Sequence, residues 1–131
     1  MFLYIYNMNI KYFFLFFVIY SCYNVERDCK NHKLGKYETE VTDKNGKKFK
    51  SIINRFDSVQ IDSFGGQVDS FSLRRTSDCC EMFLKQINPQ SMIEKKEMHL
   101  KILSTYKNTY KFEWGYVGDR NKIKGLAKKI D

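Results

Sequence analysis

Proline occurs once in this chain, at Pro89, and glycine only seven times in 131 residues. That scarcity excludes collagen-like chains and proline-rich linkers. Tryptophan occurs once, at Trp114, and histidine twice, at His32 and His99. There is no Gly-rich phosphate loop, no HExxH and no G-x-S-x-G. The usual sequence marks of nucleotide hydrolases, zinc proteases and serine hydrolases are therefore missing. Internal repeats and low-complexity tracts are missing too. What is present is apolar. Hydrophobic residues make up 43% and aromatics 16%, enough for a core and too much for a disordered chain. The length fits one compact domain.

Residues 12–20 form an unbroken apolar and aromatic run preceded by Lys11. A finished membrane helix needs about 20 residues, so this run is too short to span. Its length suits the apolar region of a secretory signal, with Lys11 as the positive flank. Ile19-Tyr20-Ser21-Cys22 follows and resembles a bacterial lipobox, departing from it at Tyr20, where a small residue is usual. Residues 1–21 are thus expected to be a signal peptide, with Cys22 lipidated and residues 22–32 a tether to the membrane. Translation starting at Met8 would give the more compact signal. A retained anchor over residues 2–20 would place Asn7, Asn9 and Lys11 in the bilayer at a cost of a few kcal/mol each. Plain secretion after a cut near Ser21 is the other alternative.

The formal net charge is +8, from 23 basic and 15 acidic residues. Lys44, Lys47, Lys48 and Lys50 cluster at one turn, and Lys122, Lys124, Lys128 and Lys129 near the C-terminus. Such faces can rest on anionic headgroups beside a lipid anchor. They read first as solvated surface. No RNA-binding signature accompanies them, so no nucleic-acid partner is expected.

With Cys22 lipidated, Cys29, Cys79 and Cys80 remain. An oxidising envelope favours one bridge, from Cys29 to Cys80 or Cys79. Zinc held by Cys29, His32, Cys79 and Cys80 suits the residue types but not the spacing. Neighbouring strand residues point to opposite faces, so no metal site is assigned, and no cofactor.

From Lys33 onward the pattern alternates with period two. Residues 108–117 give the clearest strand, with Tyr110, Phe112, Trp114 and Tyr116 on one face as the interior of the fold or the wall of a ligand pocket. In residues 97–103, Met98, Leu100 and Ile102 share a face, with His99 on the opposite, solvent side. Val59 and Ile61 alternate with Gln60 and Asp62, and Phe71 and Leu73 with their polar neighbours. Residues 34–41, 49–56, 81–87 and 122–130 complete the set. Asn45-Gly46 predicts a type I′ hairpin turn and Gly65-Gly66 a second. A short helix is expected over residues 88–96, with Asn88 as cap and Pro89 in the first helical position. Asp57, Asp62 and Asp69 read as solvated surface, and no catalytic residue is assigned. The fold expected for residues 33–131 is all-β: an antiparallel meander closing into a small, lipocalin-like barrel of about seven to eight short strands with at most one short helix.

The chain from Cys29 to its end resembles a family of small lipoproteins of unassigned function from flavobacteria and related Bacteroidota. The resemblance is carried by Asp28-Cys29-Lys30, Ile61-Asp62-Ser63-Phe64, Cys80-Glu81, Leu84-Lys85-Gln86-Ile87-Asn88-Pro89, His99-Leu100-Lys101-Ile102-Leu103-Ser104 and Val117-Gly118-Asp119. Family members carry one cysteine before that glutamate. The resemblance therefore implies a Cys29–Cys80 bridge and makes Cys79 the extra thiol. Some such proteins bear the label DNA topoisomerase IV. A chain of 131 residues without an ATP motif cannot house an ATPase and a DNA-cleaving centre, so that activity is set aside.

The function expected is a non-enzymatic module tethered by its lipid to the cell envelope, with the outer membrane favoured, facing the periplasm or the cell surface. It would bind a small apolar ligand or an envelope protein. A structural lipoprotein with a filled barrel is the alternative, and an envelope hydrolase the third reading.

Overall fold

The computed structural model describes residues 25–131; residues 1–21, expected as a signal peptide, and Cys22 lie outside the described residues. A 3₁₀ turn at Cys29–His32 precedes eight strands: β1 (Gly35–Thr42), β2 (Lys48–Arg55), β3 (Val59–Phe64), β4 (Gln67–Arg75), β5 (Glu81–Gln86), β6 (Met98–Tyr106), β7 (Thr109–Tyr116) and β8 (Ile123–Lys129). Each strand pairs antiparallel with the next, and β8 pairs with β1, so the meander closes into a barrel. The all-β barrel expected from the alternation is thereby shown, at eight strands.

Turn chemistry sets the pairings. Gly65 and Gly66 both have positive φ, +56° and +81°, and link Phe64 to Gln67 in the two-residue loop expected there. The turn at Asn45-Gly46 is different: only Gly46 is left-handed, at +79°. The Asp43 carboxylate accepts from the amides of Asn45 and Lys47, each at 2.9 Å, and the Asp43 amide donates to Lys47 O at 2.9 Å, closing a loop of residues 44–46. The expected helix over residues 88–96 is also replaced. Ser91 Oγ accepts from the Glu94 amide at 3.3 Å, and Glu94 Oε2 from the Gln90 amide at 2.5 Å. These contacts close one isolated turn, too short to nucleate a helix before the chain enters β6 at Met98.

The core is the barrel interior. Tyr37, Ile53, Phe71, Leu73, Met82, Leu84, Leu100, Ile102, Tyr110, Phe112 and Ala127 are all buried there. Leu103 is the extra residue of a bulge, since Ile102 faces Phe112 and Ser104 already faces Lys111. The chain before the 3₁₀ turn docks at that irregularity. Thr105 N donates to Glu26 O at 2.9 Å, Asp28 N to Thr105 Oγ1 at 2.7 Å, and Arg27 Nε to Leu103 O at 3.1 Å. Cys29 and His32 are buried beneath the barrel, so the folded unit includes part of the segment expected as tether. At the seam, a Cβ on Gly125 would lie 2.5 Å from Phe112 Cζ and 2.7 Å from Val41 Cγ1. Glycine there is what lets those two side chains meet across β8.

Candidate functional site

The two ends of the barrel differ. One end is plugged. Cys29 and Cys80 are joined by a disulfide that spans 51 residues of sequence. This is the pairing that the family resemblance implied, and it uses two of the sulfurs a zinc site would have needed. Cys79 keeps a free, half-buried thiol at φ +62°. Above the bridge, the rings of His32 and Tyr110 pack edge to face at 5.3 Å, and those of Tyr37 and Tyr110 at 5.5 Å. The Tyr37 hydroxyl donates to Leu34 O at 2.9 Å, and burial pushes its pKa up to about 12. Burial also holds the His32 imidazole below its usual range, and its Nδ1 is buried without a hydrogen-bond partner.

At the centre of this plug is Arg55, only 1% exposed. No carboxylate lies within ion-pair distance of it among the described residues. Its Nε donates to Gln60 Oε1 at 2.9 Å, Nη1 to His32 O at 3.3 Å and Nη2 to the Tyr110 hydroxyl at 3.0 Å. The guanidinium carbon also lies 5.3 Å from the Tyr37 ring and 5.8 Å from that of Tyr110. Three neutral acceptors and two ring faces thus replace a counter-ion. Gln60 then passes the interaction outward, with Nε2 donating to Asp62 Oδ1 at 2.8 Å.

This network turns β3 inside out relative to its hydropathy. Arg55 pairs with Gln60 and Ile53 with Asp62, so Gln60 and Asp62 share the inner face of β2. Val59 and Ile61 lie on the outer face. Asp62, read from the sequence as solvated surface, therefore faces the interior, while Asp57 is exposed and pairs with Lys33 at 3.4 Å. Asp69 is the cross-strand partner of Asp62 and is held by Gln86 Nε2 at 3.3 Å. Burial is the main force on Asp62 and raises its pKa to about 6. Gln60 and Arg55 pull it down, and Asp69 pushes it further up.

Beyond the network the barrel is not filled. A cavity of about 160 Å³ is lined from β1–β3 by Thr39, Ser51, Gln60 and Asp62, with Val41 and Ile53 between them. Leu84, Met98, Leu100, Phe112 and Trp114 form the other side, with Tyr110 also contributing. Of the four aromatics expected to face inward, Tyr110 and Phe112 are core, and Trp114 is a half-buried part of the wall. Tyr116 is not part of the lining; its ring is 6.5 Å from that of Trp114 and 5.7 Å from Lys96 Nζ. His99 does lie on the outer face, but it is covered there. Its ring stacks on Phe83 at 4.8 Å, and Nε2 meets Glu81 Oε1 at 2.9 Å.

No protein-family model matches this chain, and no curated protein is similar to it. The site has to be read from its own chemistry.

Trp114 packs on the core with one part of its ring and borders the cavity with the rest, so truncating it removes fewer contacts than at a fully enclosed position. Trp114→Ala should cost about 1–2 kcal/mol, against about 3–5 for an aromatic in a packed core. Lys111→Ala, on the exposed face of the same strand, should stay within about 0.5 kcal/mol. Urea denaturation of the three proteins checks this. A Trp114→Ala cost of 4 kcal/mol would mean that the wall is packed.

Proposed function

We propose that this chain is a non-enzymatic binding module that carries a small ligand inside its barrel and is held at an envelope membrane by lipid on Cys22. The observation that supports the binding part best is the two-faced cavity above the Arg55 network. Small-molecule sites combine an apolar wall with a few convergent polar groups, and here the polar groups come from three consecutive strands. The volume suits a molecule of about one aromatic ring, since an apolar cavity of about 150 Å³ accepts benzene. The membrane part rests on the apolar run, on Ile19-Tyr20-Ser21-Cys22 and on the resemblance to Bacteroidota lipoproteins. In the same reading the basic surface lies towards anionic headgroups, with the protein facing the periplasm or the cell surface.

The test is purification of the native protein from envelope membranes, followed by native mass spectrometry. The binding reading expects a small bound mass that is lost when the cavity is blocked by Ser51→Phe. A protein carrying no such mass, and still unable to take up small aromatics added in excess, would be the structural lipoprotein with a self-sufficient barrel. Cys22→Ser should leave the precursor uncleaved and unlipidated. Normal processing of that variant would remove the anchor from the proposal.

A further inference from the structure

We infer that the cavity selects a small amine, its ammonium on the Asp62 carboxylate and its apolar ring or short chain against Phe112 and Trp114. This deepens the binding reading above and rests on it.

The lining is the first reason. Among the described residues that line the cavity, Asp62 contributes the only formal charge, and no Lys or Arg is among them. Arg55 does not reach that wall. It lies behind Gln60 and Tyr110, with its Nε, Nη1 and Nη2 already donating to Gln60, His32 O and the Tyr110 hydroxyl. A carboxylate or phosphate entering the cavity would therefore meet Asp62 with no exposed cation to receive it.

The second reason is local charge balance in a protein whose formal net charge is +8. Asp62 and Asp69 face each other across β3 and β4, an arrangement of like charges that is unfavourable by itself. From β2, Ile53 is apolar and Arg55 acts on Asp62 only through Gln60. From β5, Gln86 donates to Asp69 but brings no charge. Two carboxylates thus share one indirectly placed guanidinium, and the missing positive charge is the one an ammonium would bring. Asp62 is mostly ionised at pH 7.5, since burial raises its pKa only to about 6, and a cation beside it would draw that value down again.

The third reason is the opposite wall. Phe112 and Trp114 present aromatic rings across a site of about 160 Å³, and aromatic side chains pack favourably on the apolar ring of a ligand whose charged end lies elsewhere. A group with a cationic end and a ring-sized apolar body satisfies both walls at once.

Three probes of similar size test this with the full folded protein: benzylamine, benzyl alcohol and benzoate, each titrated while Trp114 fluorescence is read. At pH 7.5 benzylamine should bind about tenfold or more tightly than benzyl alcohol, as expected for a charge-assisted hydrogen bond, and benzoate should be the weakest. Benzylamine affinity should fall about tenfold between pH 7.5 and pH 5 as Asp62 takes up a proton, while that of benzyl alcohol stays level. Asp62→Asn should abolish the preference and keep benzyl alcohol binding. Should that variant fail to fold, the pH series on the unmodified protein carries the same comparison. Equal affinities for benzylamine and benzyl alcohol, or a preference for benzoate, would overturn the amine inference and leave the binding reading intact. No saturable response to any of the three would overturn both.

Discussion

Arg55→Ala should cost this domain about 3–5 kcal/mol of folding stability, seen as a large fall in the urea midpoint. Two effects add. The side chain is almost fully buried, so its removal opens a void among Tyr37, Tyr110 and His32. It also strands acceptors on Gln60, Tyr110 and the His32 carbonyl in a place water does not reach. Arg55→Met separates the two. Methionine refills much of the stem volume but donates nothing, so it should cost about 1–3 kcal/mol, the share owed to the unmade hydrogen bonds. Lysine is not a conservative choice, because one ammonium cannot span three acceptors set around a planar fork. A midpoint unchanged in Arg55→Ala would mean that the guanidinium does not organise the plug.

Replacing both Cys29 and Cys80 by alanine should cost about 4 kcal/mol, the loop-closure value for a bridge over 51 residues. For a domain of this size that corresponds to a fall in Tm of roughly 15–30 °C. Both cysteines must be changed together. With Cys80 alone removed, Cys79 is left next to the same partner and can take its place. Cys79→Ser should leave the midpoint where it was, since that thiol is unpaired. A double variant that melts with the parent would show that the contacts of Glu26, Asp28 and Arg27 with β6 suffice to hold the plug.

The strands were legible in the sequence and the interior was only half so. Alternation at Tyr110, Phe112 and Trp114, and again at Leu100 and Ile102, reports one wet and one dry face, and the structure agrees. The pair Gly65-Gly66 announces its hairpin because only glycine takes both left-handed positions without strain. β3 defeats the same logic. Val59 and Ile61 mark an apolar face, yet Gln60 and Asp62 are the residues turned inward. The decision is made on β2, where the inward parity of Ile53 carries Arg55 inside and the pairing Arg55–Gln60 fixes the rest. Pairing register depends on the geometry of the turn at residues 56–58, which hydropathy does not report. An arginine two positions beyond an inward isoleucine, at the end of a strand, was the available signal. The helix expected near Pro89 gives way to a single turn, which Ser91 and Glu94 close with their side chains instead of starting a helix from Asn88.

The seam between β1 and β8 bears on how the molecule comes into being. Its partners, such as Tyr37 and Lys129, stand nearly a full domain apart in the chain. No partial product of synthesis can make them, and a chain lacking β8 is a sheet with two bare edges, open to any other strand it meets. Closure therefore comes last and requires the longest loop in the fold, which favours slow folding. Until then β1 lacks its second partner strand, and the hairpins already made form an open sheet. Folding, for this topology, waits on the final strand.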